Sequence, residues 1–462
     1  ALVWSTAAPV LGAPGSAAIA EAVAQLETDH DQATEAVYVL KAGGARAAKQ
    51  IREAWPRLSL LAQRRALPAL LTLAKTYDAA LETLKDAARS DDEDLRDRAF
   101  ETLKRSGSRG REALAALVVD ESVGDRAASL LARVWPDAAI GPLLAAIEAP
   151  GGLQRPALRS ALATAAQRTD ANAAVTLRDW LAASPPPAAT ACAAMGLVGL
   201  ESQRATVTAF IEYATPGAND FASKWRLLKS SAVAGPSEPI DAFVRRQLAQ
   251  AEEWMLREAA VEALTARGLR EAARPSLKDP YPRVRLSAAG ALAGDDDTMF
   301  ERATLARRDT WPMVRAAAVR SLRTEGEAMA VVVASVDDSM SEVRAAAIET
   351  LGAASHAEGW DRVHRRLRAR NEWPQVTKAA IDYVVAHCRT DAAEALFRVV
   401  MRAAPANALT EDPNNAARAI EALRALGTPE ALAAVDQLRN TPGVPPTLKM
   451  ALEQPMDEDA GC

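Results

Sequence analysis

The sequence predicts an all-α fold, a solenoid of stacked antiparallel helix pairs, on three observations. Ala makes up roughly a quarter of the chain and aromatics only 4%, and Ala is the best helix former and a poor strand former, which disfavours sandwiches, barrels and large parallel sheets. Hydrophobic residues are 49% and charged residues 25%, a balance that folds into a core. The third is an internal repeat of about thirty residues, which selects one elongated array over the two to four globular domains that 462 residues would otherwise suggest. At that period the array holds roughly twelve to fifteen helix pairs or fewer.

Residues 1–18 come first. Leu2 to Leu11 (LVWSTAAPVL) is apolar and uncharged and is followed by Gly12, Ala13, Pro14, Gly15, Ser16 and Ala17. This reads either as the end of a secretory hydrophobic region with a cleavage site after Ala17 or Ala18, which implies export, or as an apolar arm on a cytoplasmic protein. Residues 19–170 carry weaker copies of the repeat. Leu95-Arg96-Asp-Arg-Ala-Phe-Glu-Thr-Leu103 follows the acidic turn Asp91 to Asp94, Asp120 precedes Arg126 by six residues, and Leu158-Arg159-Ser-Ala-Leu162 is a further copy. Residues 171–250 are less regular. Pro185-Pro186-Pro187 and loops at Thr215–Asp220 and Gly235–Pro239 separate helices near 171–183, 188–199, 202–213, 222–233 and 240–253.

The regular copies occupy 251–390. Asp279-Pro-Tyr-Pro-Arg-Val-Arg285, Asp309-Thr-Trp-Pro-Met-Val-Arg315, Asp338-Ser-Met-Ser-Glu-Val-Arg344 and Asn371-Glu-Trp-Pro-Gln-Val-Thr377 align, with steps of 30, 29 and 33 at the Arg/Thr position, and Leu256-Arg257 opens a copy 28 residues before Arg285. Asp offers an oxygen to free backbone N–H groups at the turn. Pro282, Pro312 and Pro374 suit a first helical turn, where no N–H is needed. Val314, Ala318, Val319 and Leu322 then follow helical spacing and make one apolar stripe. Gly294, Gly326 and Gly352 read as helix ends, and second helices are placed near 299–307 and 327–336. Such a pair cannot bury a core alone and must stack on the next pair. Helices near 392–403, 414–426 and 429–439 form a C-terminal cap within 391–453, and 454–462 is an acidic tail.

The Asp-x-x-Pro-x-Val-Arg-x-x-Ala-Ala-x-x-Leu pattern resembles the short bacterial HEAT-like repeat, also seen in the HEAT-type phycobilin lyases. The match is specific over 252–352, weaker over 90–165, and elsewhere amounts to helical hairpins. The resemblance implies helix pairs stacked in a right-handed superhelix, with a polar ladder between turn Asp and Arg. Carried onto this sequence, the ladder comprises Asp120 with Arg126, Asp279 with Arg285, Asp309 with Arg315, and Asp338 with Arg344. It should stop near Thr377, which stands where the Arg would be.

Chemistry-bearing motifs are scarce. His356, His364, His387 and Cys388 have no metal-ligand spacing, and Cys192 and Cys388 read as core thiols on helices. No cofactor or metal is called for. Gly-x-Ser-x-Gly, Walker and Gly-x-Gly-x-x-Gly motifs are missing, and Asp91–Asp94 and Asp295–Asp297 fall at turns without EF-hand spacing. No apolar run reaches the length of a membrane span. The net charge of −5 and pI near 5.7 argue against a general nucleic-acid surface, including that of the HEAT-like DNA glycosylases.

Two surface features remain. Arg362, Arg365, Arg366, Arg368 and Arg370 form a basic run, with Arg362, Arg366 and Arg370 expected on one helix face, and it is read either as a solvated face or as a site for an anion or nucleic-acid backbone. Tyr281, Trp311 and Trp373 recur once per repeat, either as packing between repeats or as anchors for a ligand. The function expected is a non-enzymatic protein-binding scaffold or adaptor. It would use the concave face lined by the Val-Arg helices, with Arg320 and Glu349 exposed on it and the Arg run on the opposite, convex side. The alternatives are a lyase-like or chaperone-like protein holding a small cofactor, and anion binding through 362–370.

Overall fold

The computed structural model describes residues 14–354, 358–403, 412–442 and 444–453. Among them it contains twenty-seven α-helices, a few short 3-10 segments and no strand. The chain divides into two compact units between Phe243 and Val244, inside the helix that spans Glu238–Gln250. Each is an α-solenoid of stacked antiparallel helix pairs, the HEAT-like architecture. Leu2–Leu11, His356 and the tail from 454 lie outside the described residues. Ser16, Ala17 and Ala18, placed in the N-terminal arm, form the first turn of a helix whose Ile19 is fully buried.

Unit 1 runs through α1 (Ser16–Gln25), α2 (His30–Ala42), α3 (Gly44–Ala54), α4 (Leu60–Leu73), α5 (Asp78–Ala88), α6 (Glu93–Arg105), α7 (Gly107–Leu117), α8 (Gly124–Val134), α9 (Pro136–Glu148), α10 (Pro156–Arg168), α11 (Asp170–Ala182), α12 (Pro187–Leu197), α13 (Arg204–Ala214) and α14 (Phe221–Ser231), and reaches α15 (Glu238–Gln250). Even-numbered helices pack side by side in one layer over α2 to α6 and over α8 to α14, and the odd-numbered helices α1 to α13 pack in the other. Asp29, Ser59, Asp92 and Asp220 each accept a hydrogen bond from a first-turn backbone N–H, and Pro136, Pro156 and Pro187 open helices without losing a bond.

Unit 2 continues with α16 (Trp254–Ala266), α17 (Pro282–Ala291), α18 (Met299–Arg308), α19 (Pro312–Ser321), α20 (Gly326–Ser335), α21 (Ser341–Gly352), α22 (Trp360–Arg368), α23 (Pro374–Ala386), α24 (Ala393–Arg402), α25 (Pro413–Leu426), α26 (Pro429–Asn440) and α27 (Pro446–Glu453). The Val-Arg helices α17, α19 and α21 stand side by side in one layer with α16, which has Leu256-Arg257, α23, which has Val376-Thr377, and α25. Behind them lie a 3-10 stretch at Arg270–Lys278, then α18, α20, α22, α24 and α26. A Val-Arg helix touches its neighbours on both flanks and a partner behind, so little of it meets water. In α21, Val343 and the whole run Ala345, Ala346, Ala347 and Ile348 are buried, while Glu342 and Glu349 are exposed. Ala is demanded there because a larger side chain on either flank would push the next helix away.

Three local readings change. Gly352 ends α21 as read, but Gly294 lies three residues past the end of α17, in the following turn at φ 74°, and Gly326 opens α20 at φ 56°. Arg370 lies beyond α22, which ends at Arg368, so it does not share a helix face with Arg362 and Arg366. Cys388 is not a core thiol on a helix: it follows α23 at φ 46° and is disulfide-bonded, whereas Cys192 is a free thiol buried in α12.

Candidate functional site

The Asp and Arg of each repeat in unit 2 connect consecutive repeats. Arg257 makes a two-pronged bond to Asp279 (Nε 2.7 Å, Nη2 3.0 Å), Arg285 to Asp309 (2.7 and 2.9 Å) and Arg315 to Asp338 (both 2.9 Å). Arg344 does the same to Glu372, with its Nε at 3.1 Å. The remaining Nη1 turns back to the carbonyl six residues earlier, as Arg315 does to Asp309 at 2.8 Å, and likewise in Arg257, Arg285 and Arg344. Each Asp also accepts from the N–H two residues on, at Tyr281, Trp311 and Met340. These charges are largely withdrawn from water, and satisfying both prongs and the third donor is what makes their burial tolerable.

The partner of each turn Asp is therefore the Arg of the preceding repeat, and the Arg of its own repeat takes only its carbonyl. Burial pushes the Asp338 carboxyl up, but the Arg315 bond and the Met340 N–H outweigh it and hold the group below the usual carboxylate range. The same pairing raises Arg315 and Arg257. Asp120 and Arg126 are not brought together: Asp120 bonds Arg89 at 2.7 Å and the N–H groups of Ser122 and Val123, while Arg126 pairs with Asp97 and covers the Phe100 ring.

The ladder sets the Val-Arg helices at a common register, and a groove of about 890 Å³ runs across the outer surface of α16, α17, α19, α21 and α23. Its floor is small and mostly apolar, with Ala266, Gly290, Ala291, Ala316, Ala317 and Ala345. Glu262, Arg320, Glu342 and Glu349 carry its charge, three carboxylates to one guanidinium. Arg320 and Glu349 are both exposed and bonded to each other across α19 and α21, at 2.9 and 3.1 Å.

At one edge of this face, the residue just before each of α17, α19, α21 and α23 is large and exposed: Tyr281 37%, Trp311 50%, Met340 41% and Trp373 60%. Tyr281 differs from the two Trp in being stacked on Trp254, with ring centroids 4.3 Å apart and Arg283 over the Trp254 ring. The Arg run lies in the other layer. Arg362, Arg365 and Arg366 all converge on Asp337, at 2.5, 3.7 and 2.7 Å. No set of three metal-ligating side chains gathers among the described residues, and no helix there is long and apolar enough to cross a membrane.

Sequence reasoning missed several of these groups. Glu372, not the aligned Asn371, receives Arg344, because its longer side chain reaches from one position further along. Met340 occupies the aromatic register without being aromatic, and its position two after Asp338 was the available signal. Arg302, fully buried in α18, had no signal at all. It faces no carboxylate at bonding distance among the described residues and donates instead to the carbonyls of Ser321 and Asp295 and to Thr298 Oγ1.

No family model matches the chain, and no curated protein matches it. Among solved structures the chain is similar to importin beta, at 11% identity over 95% of this chain and 74% of that one, with a TM-score of 0.46. It is similar to the karyopherin Kap121p bound to the SUMO protease Ulp1p, at 12% identity over 95% of this chain and 53% of that one, TM-score 0.42. A third is the Pds5–Scc1 complex, at 12% identity over 92% and 72%, TM-score 0.29. The chain thus spans about half of the Kap121p chain. These likenesses are loose.

Proposed function

We propose that this chain is a non-enzymatic protein-binding scaffold and that the groove over α16 to α23 receives a segment of a protein partner. The observation that carries this is the groove itself. Five consecutive helices of this layer hold open an apolar floor of small side chains, which lets a partner's larger side chains approach the helix backbones. The surplus of carboxylates among Glu262, Glu342, Glu349 and Arg320 favours a segment whose apolar residues are flanked by Lys or Arg. Trp311, Met340 and Trp373 along the edge are suited to anchor it, since exposed Trp side chains are typical centres of binding energy.

Exchanging the charges of Arg320 and Glu349 together rebuilds their mutual pair in reverse, so it is a poor test. Filling the groove is a better one. A Cβ added at Gly290, an exposed residue that lines the groove, meets no atom within 4 Å, so Gly290→Phe is expected to project into the groove with little disturbance of the helix stack. Affinity capture should retain a protein with the wild-type chain and lose it with Gly290→Phe, and neutralising Arg365 and Arg366 should leave capture unchanged. Capture that survives Gly290→Phe and fails with the Arg variants would move the binding surface to the other layer.

A further inference from the structure

Three basic side chains that play no part in the groove converge in the other layer of unit 2. Arg365 and Arg368 of α22 and Arg398 of α24 line a recess of about 680 Å³ together with Asp361, His364 and Ala369. Arg362 and Arg366 already hold Asp337 closely, so Arg365, at 3.7 Å from the same carboxylate, is the loosely held third. Arg368 makes no ion pair among the described residues. Among the described residues Arg398 bonds only Glu394 of its own helix, an exposed pair of the kind that contributes little.

The wall of the recess is fixed. His364 lies flat on Trp360, with centroids 4.8 Å apart and planes 9° from parallel. Trp360 in turn donates from Nε1 to Asp391 at 2.8 Å, packs parallel to Tyr383 and lies under Arg389 at 4.6 Å. Burial first, and then the nearby Arg368, hold the His364 imidazole below its usual range, which agrees with a positive field at this spot.

We propose that this recess binds a compact, multiply charged oxyanion of the pyrophosphate kind, gripped by Arg365, Arg368 and Arg398 with the His364 ring as a further polar wall. Guanidinium groups present forked donors that match the oxygen spacing of such anions, and three of them from two helices surround the ligand without being covalently fixed to one another. The site is local. Asp337, Asp361 and Glu394 border it, so a long polyanion laid across it would meet carboxylates on either side, and a nucleic-acid backbone needs a continuous basic track.

The test is isothermal titration of the full chain with inorganic pyrophosphate at about 0.15 M salt, where long-range attraction between exposed charges is screened. Saturable one-to-one binding is expected. Arg368→Gln with Arg398→Gln should weaken it at least tenfold, Arg368→Lys with Arg398→Lys should recover part of the loss, and Arg320→Gln on the groove face should change nothing. All these side chains are exposed, and matching thermal melts would show that the variants fold. The proposal is overturned by an absence of saturation at millimolar pyrophosphate, by an unchanged affinity in the double Gln variant, or by an equal loss in Arg320→Gln. Binding of duplex DNA without binding of pyrophosphate would overturn it as well.

Discussion

The two units use the same residue types to join helices, yet only unit 2 does so by one rule. From Arg257 to Glu372 each Arg reaches forward to the next repeat's turn carboxylate and back to its own turn carbonyl. Unit 1 keeps the backward half at Arg96, which bonds the Ser90 carbonyl, and at Arg159, which bonds that of Leu153, both six residues earlier. The forward half is scattered: Arg64 reaches Asp92, Arg89 reaches Asp120, and Arg126 turns back to Asp97. The bond to a carbonyl six residues away is local and needs only the turn. The bond to the next repeat needs a carboxylate at that repeat's turn, and in unit 1 the turn position six residues before Arg159 is Leu153, where unit 2 has Asp.

The largest way to break the comparison is to remove one rung from each unit. Arg315→Ala leaves Asp338, only 16% exposed at its side chain, without its cation, and should cost about 3 kcal/mol. Arg126→Ala removes a pair whose members are both more than 40% exposed and should cost less than about 1 kcal/mol. Hydrogen exchange resolves the units separately: α19 and α21 should lose protection in the first variant, and α6 and α8 should keep it in the second. Equal effects would mean that the regular ladder has no special standing.

Acid should sharpen the same contrast. Asp338 has a folded pKa below its ordinary value of 3.8, so its contribution is fully present above that pH and is lost as pH falls through the folded value. Wild type and Arg315→Ala should therefore converge in stability as the pH drops below 3.8. Asp120 in unit 1 is held at about 2, where bonds from Ser122 and Arg89 outweigh the upward push of burial. An Asp120→Asn variant should accordingly converge with wild type only as pH approaches 2. A gap that stays constant down to pH 2 in either titration would contradict the pairing.

Glycine gives a smaller contrast. Gly110 in α7 sits so close to the end of α6 that an added Cβ would run into the Leu103 carbonyl oxygen. Gly110→Ala should destabilise unit 1 by roughly 1–3 kcal/mol. Gly290, inside α17 with open space above it, should do the reverse: Gly290→Ala is expected to stabilise unit 2 by about 0.5–1 kcal/mol through helix propensity. Thermal melts of the two variants, moving in opposite directions, check both.

How much of this was legible in the residues follows from what is local. Helix starts were readable because Asp92, Asp220, Pro282, Pro312 and Pro374 act on N–H groups within one turn. The thirty-residue period was readable because each repeat must solve the same packing problem, and the buried set Val314, Ala318, Val319 and Leu322 is one solution to it. The α27 helix and the 3-10 stretch at Arg270–Lys278 were not anticipated: the first follows several prolines, and the second carries Pro275 where a helix would need its N–H.

The sequence by itself determined the helical class, the repeat and the acidic balance, since these depend on propensity, periodicity and charge, which need no knowledge of neighbours. Only the tertiary structure decided which carboxylate each Arg takes. Asp309 and Asp338 are both candidates for Arg315 along the chain, and stacking gives the side chain of one and the carbonyl of the other. It likewise decided that Arg320 and Glu349 meet, that Arg362, Arg365 and Arg366 share Asp337, and that Arg398 joins Arg365 and Arg368 around one recess. Contacts between residues some thirty positions apart depend on how far one helix pair is set from the next, and that distance comes from the packing of the side chains between them.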